Sequence, residues 1–282
     1  MRIEETFNIW LKCIFYGIAG TGKTTLTLGA HLDEEMGPLL YLDSGGNALQ
    51  AHAWFNPPTI VPLSGYPDRI LEILKFLQAG QPKNSKLRTM FKLDPDINFK
   101  TVAIDLFSDW QRSYVQHVTS GDVKEMRTLD DIKAPEALVH GGKIQAATVQ
   151  IAKAFLDLPM NVILVMQLRE VIDFSDGTRS YAPFLYGSSK QIIPHYVTLV
   201  GMMEMISQKG TLLPKITFRA SHKDTESKNQ IAPSVVPVGK NKYQMKHFLS
   251  NEIIDPNMTA IREVVQKHYI ELFELQKKGV LK

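Results

Sequence analysis

The chain has 282 residues, 44% hydrophobic and 22% charged, the balance of a globular protein and not of a disordered, collagenous or membrane-embedded one. Its formal net charge of +3 is too mild to demand a nucleic-acid partner on electrostatic grounds. A single cysteine, Cys13, excludes an internal disulfide framework, and the eight histidines lack metal-site spacing.

Residues 1–10 read as a lead into a first strand, Leu11–Tyr16, with Cys13 as a small buried hydrophobe. MRIEETFNIW has no signal-peptide pattern and no apolar run reaches the length of a membrane span, so a cytoplasmic protein is expected. Gly17-Ile18-Ala19-Gly20-Thr21-Gly22-Lys23-Thr24 then fits the phosphate-binding pattern G-x-x-x-x-G-K-[ST] without a mismatch, followed by Thr25. Glycines let the backbone wrap closely and aim successive N–H groups inward as an anion nest, and the helix that starts there adds the positive end of its dipole. Lys23 would reach the β- and γ-phosphates, and the Thr24 hydroxyl would ligate Mg²⁺. The spacing therefore predicts a nucleoside triphosphate site.

After this loop a helix is predicted from Thr24 to about Met36, stopped by Gly37-Pro38. Leu39–Leu42 is a continuous apolar strand ending at Asp43-Ser44-Gly45-Gly46, and a helix follows Pro67 with Ile70, Leu71, Leu74 and Leu77 on one face. Gln81–Lys100 is polar and basic, with Lys83, Lys86, Arg88 and Lys92 around Phe91. Two readings fit it: a solvated surface insertion, or a loop that meets nucleic acid through cations and a stacking aromatic.

Thr101–Leu106 reads as a buried strand ending in the Asp105 carboxylate, then a helix from about Ser108 to Val118 and an irregular stretch around Gly121–Gly142. A helix from about Lys143 to Leu156 leads to a strand over Asn161–Met166 with Gln167 at its tip. Strands alternating with helices predict a doubly wound, mainly parallel α/β sheet, whose ligands bind at the strands' carboxyl ends. Asp43, Asp105 and Gln167 all fall there. Asp105 either holds the Mg²⁺ water shell or caps the following helix, and Gln167 either touches phosphate or bonds backbone.

Residues 169–190 read as a mobile loop, and Val197–Ile206 with Leu212–Ala220 as an antiparallel hairpin across Gln208-Lys209-Gly210. Ser221–Gln230 is a charged loop, and an amphipathic helix from about Asn257 to Lys277 closes the chain. Between Lys215 and Lys246 seven basic residues stand against two acidic ones, a local surplus that fits either a DNA-facing surface or a solvated hairpin. With no internal repeat, the division expected is one domain over 1–250 and a helical appendage over 251–282.

The set GIAGTGKT, LLYLDSGG, TVAIDLFSDW and NVILVMQLRE resembles the RecA-like P-loop ATPase core. It is most similar to compact phage-encoded members linked to single-strand annealing and recombination. The later stretches YAPFLYGSSKQIIPHYV and SKNQ also resemble those proteins. The resemblance implies ATP and Mg²⁺ as cofactors, a homo-oligomer with ATP at subunit interfaces, single-stranded DNA as partner, and a host cytoplasm. By it Lys23 and Thr24 bind triphosphate and Mg²⁺, Asp105 is the second-motif carboxylate, Gln167 senses the γ-phosphate, and Lys228 is a trans-acting cation. The loop from Arg169 would contact DNA.

The chain departs from that pattern at Gly45, where relatives place a catalytic Glu, at Leu106, which supplies no Glu either, and at Gln230, where an Arg is often found. The water-activating base is therefore open between Asp43 and Asp109. The other classes that the sequence admits are an ATP-gated DNA-binding or partner-loading module, a small-molecule P-loop kinase, and a remodelling ATPase with a helical lid. The last two want an arginine-rich lid or several C-terminal helices, and the chain has neither pattern.

Overall fold

A computed structural model describes residues 10–46, 59–63, 66–120, 137–172, 179–218, 228–229, 234–239, 242–246 and 252–277. Four continuous apolar runs form its centre: β1 (Lys12–Gly17), β2 (Leu39–Asp43), β4 (Thr101–Asp105) and the first half of β5 (Asn161–Ile172). Such runs, apolar but for their ends, are buried on both faces and belong in a parallel sheet covered by helices. β1 lies between β5 and β7 (Leu199–Gln208), parallel to both, and the sheet continues through β4 and β2 to β3 (Thr59–Pro62). β8 (Thr211–Thr217) and β12 (Glu252–Ile254) extend the other edge antiparallel.

The strand period of two sorts the side chains onto two cores. On one face Ile14, Tyr16, Leu40, Leu42, Val102, Ile104 and Leu164 meet α2 (Arg69–Gln78), α4 (Phe107–Ser120) and α5 (Ala137–Leu156) through Leu74, Trp110 and Phe155. On the other, Phe15, Leu39, Tyr41, Ala103 and Ile163 meet Leu26 and Leu28 of α1 (Lys23–Gly29), and Met258, Ile261 and Val265 of α7 (Met258–Lys277). The mainly parallel doubly wound sheet, the antiparallel strands after it and the terminal helix are the architecture the sequence predicts.

Several elements differ from expectation. The helix after the glycine-rich loop ends at Gly29, not Met36, because the Asp33 carboxylate accepts the Glu35 and Met36 N–H groups and turns the chain. The expected loop over 169–190 is instead a hairpin: β5 runs on to Ile172 and pairs antiparallel with β6 (Arg179–Pro183), putting those backbone groups into a ladder. A short helix α6 (Ser189–Ile192) and a 3₁₀ turn (Ile193–Tyr196) follow. The edge strand β3 was not foreseen; four residues ending in proline give little period-two signal.

The basic Gln81–Lys100 stretch contains α3 (Lys86–Phe91), and its arginine is interior. Arg88 is buried, with its guanidinium donating to the carbonyls of Gln81, Pro82, Asp94 and Ile97, so it knits the insertion together. Lys83 pairs with Asp96 at 2.6 Å. The predicted β7–β8 hairpin is present, turning at Lys209 and Gly210, both at positive φ as a two-residue hairpin requires. Of the charged loop Ser221–Gln230, only Lys228–Asn229 are described, as β9 on β7, so Gln230 lies outside the described residues; β10 (Ser234–Gly239) and β11 (Lys242–Lys246) form a separate ribbon.

The terminal helix is tied down by charge as well as by its apolar stripe. Arg262 Nε donates to the buried Asp33 carboxylate at 3.0 Å, and its Nη1 lies 3.0 Å from Glu35 Oε2. Burial works to raise the Asp33 pKa, but hydrogen bonds from Thr259, the Met36 and Glu35 amides and Arg262 outweigh it and hold the carboxyl below its ordinary value. The stabilisation is therefore complete above the unfolded-chain value of about 3.9 and is lost as pH falls through the lower folded value. Arg262→Ala should cost roughly 1.5–3 kcal/mol at pH 7, the range for hydrogen bonds to a charged group, and its gap from wild type should narrow below about pH 4 in denaturant titrations.

Candidate nucleotide-binding site

The site forms where β1 turns into α1 at the carboxyl edge of the sheet. Gly17 pairs with Met203 of β7 on one side and with Gln167 of β5 on the other. A Cβ added at Gly17 would stand 2.3 Å from the Met203 carbonyl oxygen, so only glycine lets the strands run this close. Ile18, Ala19 and Gly20 form the exposed apex of the loop. Gly20 and Gly22 have φ of 79° and 85°, the left-handed values that turn consecutive N–H groups into one concavity. Thr21 is buried and its hydroxyl donates to the Ile18 carbonyl at 3.0 Å, bracing the turn. Thr25 is exposed on α1.

Lys23 is 7% exposed and folds back along the loop, donating to the carbonyls of Gly17 at 2.9 Å and Ile18 at 2.6 Å. Burial lowers its pKa, against the pull of Asp105. Its partners here are two backbone carbonyls and, at 3.4 Å, the Thr21 hydroxyl, all neutral, so a buried positive charge faces the loop that an anion would fill.

Thr24 and Asp105 come together across 81 residues of chain: the threonine hydroxyl donates to Asp105 Oδ2 at 2.6 Å. The Tyr41 hydroxyl donates to the same oxygen. Asp105 is 4% exposed, and burial pushes its pKa up against these two hydrogen bonds and Lys23, with Asp43 adding to the rise. Asp43 is the register neighbour of Asp105, and its Oδ1 accepts the Gly46 N–H at 2.8 Å, closing the turn after β2. A hydroxyl and a carboxylate, both hard oxygen donors, are the ligand types Mg²⁺ takes, and a buried carboxylate whose hydrogen-bond partners are neutral hydroxyls suits a cation; these residues fit the metal.

Gln167 stands beside Gly17 in register, yet its side chain is already engaged. Its Nε2 donates to Asp109 Oδ1 at 3.2 Å, and its Oε1 accepts from Arg112 Nη2 at 3.1 Å. Arg112 Nη1 closes the triangle on Asp109 Oδ1 at 3.0 Å. Burial raises the Asp109 pKa and Arg112 opposes the rise. Asp109 and Arg112 are three apart on α4, a spacing readable in the sequence, but their meeting with Gln167 depends on how α4 packs against β5.

Lys228 lies elsewhere. Its backbone pairs with Val200, three residues before the Met203 that meets the loop, about 10 Å back along β7. The structure thus brings together Lys23, Thr24, Asp105 and Asp43, places Gln167 beside them, and sets Lys228 apart in the chain's own sheet. Tyr41 was missed. The period of two puts it on the same strand face as Asp43, but its reach to Asp105 depends on the β2–β4 register.

Gly17→Ala tests the close approach. It should cost roughly 1–3 kcal/mol in thermal melts and weaken nucleotide binding, since β1 and β7 must part at the loop.

Residues 10–241 match a protein family described as AAA domain. No curated protein matches the sequence. Similar solved structures include a KaiC-like protein from the hyperthermophilic archaeon Pyrococcus horikoshii OT3, at 13% identity over 73% of this chain and 76% of that one, TM-score 0.39. The flagellar accessory protein FlaH from Methanocaldococcus jannaschii is 14% identical over 77% and 80%, TM-score 0.34. The RadB recombinase is 13% identical over 73% and 78%, TM-score 0.36.

Proposed function

The chain belongs to the AAA domain family, and from that premise we propose that it is a RecA-like, Mg²⁺-dependent ATPase acting on single-stranded DNA in phage recombination, annealing or repair, as a homo-oligomer with ATP at subunit interfaces. The observation that carries the nucleotide part is the Thr24–Asp105 hydrogen bond beside the buried Lys23 ammonium. When ATP binds, Lys23 exchanges its loop carbonyls for phosphate oxygens, a stronger partner for a buried cation. Thr24 and Asp105 would hold Mg²⁺, which would supply positive charge against that of the triphosphate.

In this reading Asp109 and Gln167 act as a unit on the attacking water. Gln167 presents an amide where β5 stops pairing with β1, beside Gly17, and Asp109 fixes that amide and supplies the carboxylate absent at Gly45. Lys228 serves the site of a neighbouring subunit, where its charge would meet charge developing on the γ-phosphate.

The DNA part is supported by the order of the sequence motifs and by the basic surplus between Lys215 and Lys246. Lys215 is to be subtracted from that surplus, since it lies 2.7 Å from Glu204 and 3.5 Å from Glu252. Gly45 favours a second reading, an ATP-gated DNA-binding module with little turnover.

Lys23→Ala should abolish nucleotide binding in an equilibrium titration. Asp109→Asn should slow ATP turnover roughly 10²-fold while leaving nucleotide affinity within about twofold. Turnover stimulated by single-stranded DNA, with DNA affinity falling steeply as salt rises, supports the DNA reading; turnover indifferent to DNA and no salt-sensitive binding refute it. DNA binding that needs ATP without measurable hydrolysis selects the second reading.

A further inference from the structure

Asp105 is held by two hydroxyls from two different elements, and only Thr24 belongs to the phosphate loop. The second, Tyr41, sits in the middle of β2 with none of its surface exposed, on the face that packs against α1 and α7. Its hydroxyl donates to Asp105 Oδ2, the oxygen that also accepts from Thr24. Among the described residues, both side-chain hydrogen bonds to Asp105 fall on that one oxygen.

The backbone register explains how the contact arises. Tyr41 pairs with Ala103 and Asp43 with Asp105, so Tyr41 lies two residues short of the carboxylate along the neighbouring strand. Two residues of parallel strand span about 6.6 Å, which a tyrosine side chain covers and no shorter hydroxyl residue does. Ala103, directly beside it, leaves room for the ring to lean forward. A phenylalanine would fill the same space and keep the core. A tyrosine adds one directed donor at the end of its reach.

We infer that Tyr41 is a positioning residue for the Mg²⁺ site: its hydroxyl clamps one oxygen of Asp105, so that the other oxygen is presented to the cation or its water. The inference rests on the proposed Mg²⁺–ATP binding and deepens it. A carboxylate can rotate about its Cβ–Cγ bond and exchange its two oxygens. A single hydroxyl from Thr24, itself called on as a ligand, leaves that rotation weakly constrained; a second donor from a rigid central strand fixes it. Hydrogen-bond partners of a metal ligand tune metal affinity in this way, and losing one typically costs ten- to a hundredfold.

The test is the Mg²⁺ dependence of binding of a fluorescent ATP analogue to the full chain, measured for wild type, Tyr41→Phe and Tyr41→Leu, with thermal melts of each. The inference expects both variants to need roughly tenfold more Mg²⁺ for half-maximal effect, with affinity in excess EDTA within twofold of wild type. It also expects Tyr41→Leu to melt lower than Tyr41→Phe, since leucine underfills the core. A normal Mg²⁺ requirement in Tyr41→Phe overturns the inference. So does a shift confined to Tyr41→Leu, which would mark a packing role only. If wild type binds the analogue equally with and without Mg²⁺, the Mg²⁺ reading itself falls and carries this inference with it; that outcome is visible before any variant is made.

Discussion

One buried carboxylate ties the molecule's parts together. Asp105 ends β4, accepts from Thr24 at the start of α1 and from Tyr41 in β2, and neighbours Asp43 across the parallel pair. Burial raises its pKa, so an unpaired charge there would be costly, and the hydroxyls and Lys23 keep it tolerable. The glycine-rich loop is thus joined by directed hydrogen bonds, through Asp105, to β4 and β2, which lie beyond β5 in the sheet. Lys23 is the complementary half, a buried cation held by two loop carbonyls and the Thr21 hydroxyl. The pair sets a positive charge where phosphate would lie and a negative one where a metal would lie.

The rest of the fold keeps that edge in register. Because β1, β2, β4 and the first half of β5 are apolar but for their ends, both sheet faces are buried there, and each must be covered by helices. The covering is unequal in kind. α2, α4 and α5 shield one face largely by apolar packing, whereas α1 is only seven residues long and leaves part of the other to α7. Arg262 on Asp33 anchors α7 to the turn that follows α1, so the terminal helix rests on the segment that continues from the phosphate loop. That contact joins residues 229 positions apart and makes the end of the chain part of the support of its beginning.

Much of this was readable without coordinates, for physical reasons. Lys23 and Thr24 follow from spacing, because that glycine pattern wraps an anion and sets a Lys and a hydroxyl beside it, and Asp105 from a lone acid ending an apolar strand. The parallel sheet follows from continuous apolar runs separated by helical ones. Features that depend on register or packing were not readable. Tyr41 looks like an ordinary core aromatic until β2 and β4 are aligned. Arg88 reads as surface charge in a basic stretch, yet its guanidinium satisfies four carbonyls inside the insertion. The β5–β6 hairpin is rich in polar and small residues and reads as a loop, although its backbone groups are paired. Gln167 reads as the tip of a strand ending at Met166, whereas β5 runs on to Ile172, and its partners Asp109 and Arg112 come from a helix whose rotation the sequence does not state.

The central claim, that Asp105 and Thr24 form the metal half of a nucleotide site, is tested most directly by calorimetric titration of ATP into wild type and Asp105→Asn, with and without Mg²⁺. The account predicts that Mg²⁺ tightens ATP binding to wild type and that Asp105→Asn loses this gain while retaining metal-free binding through Lys23 and the loop. Equal tightening by Mg²⁺ in both proteins would contradict it.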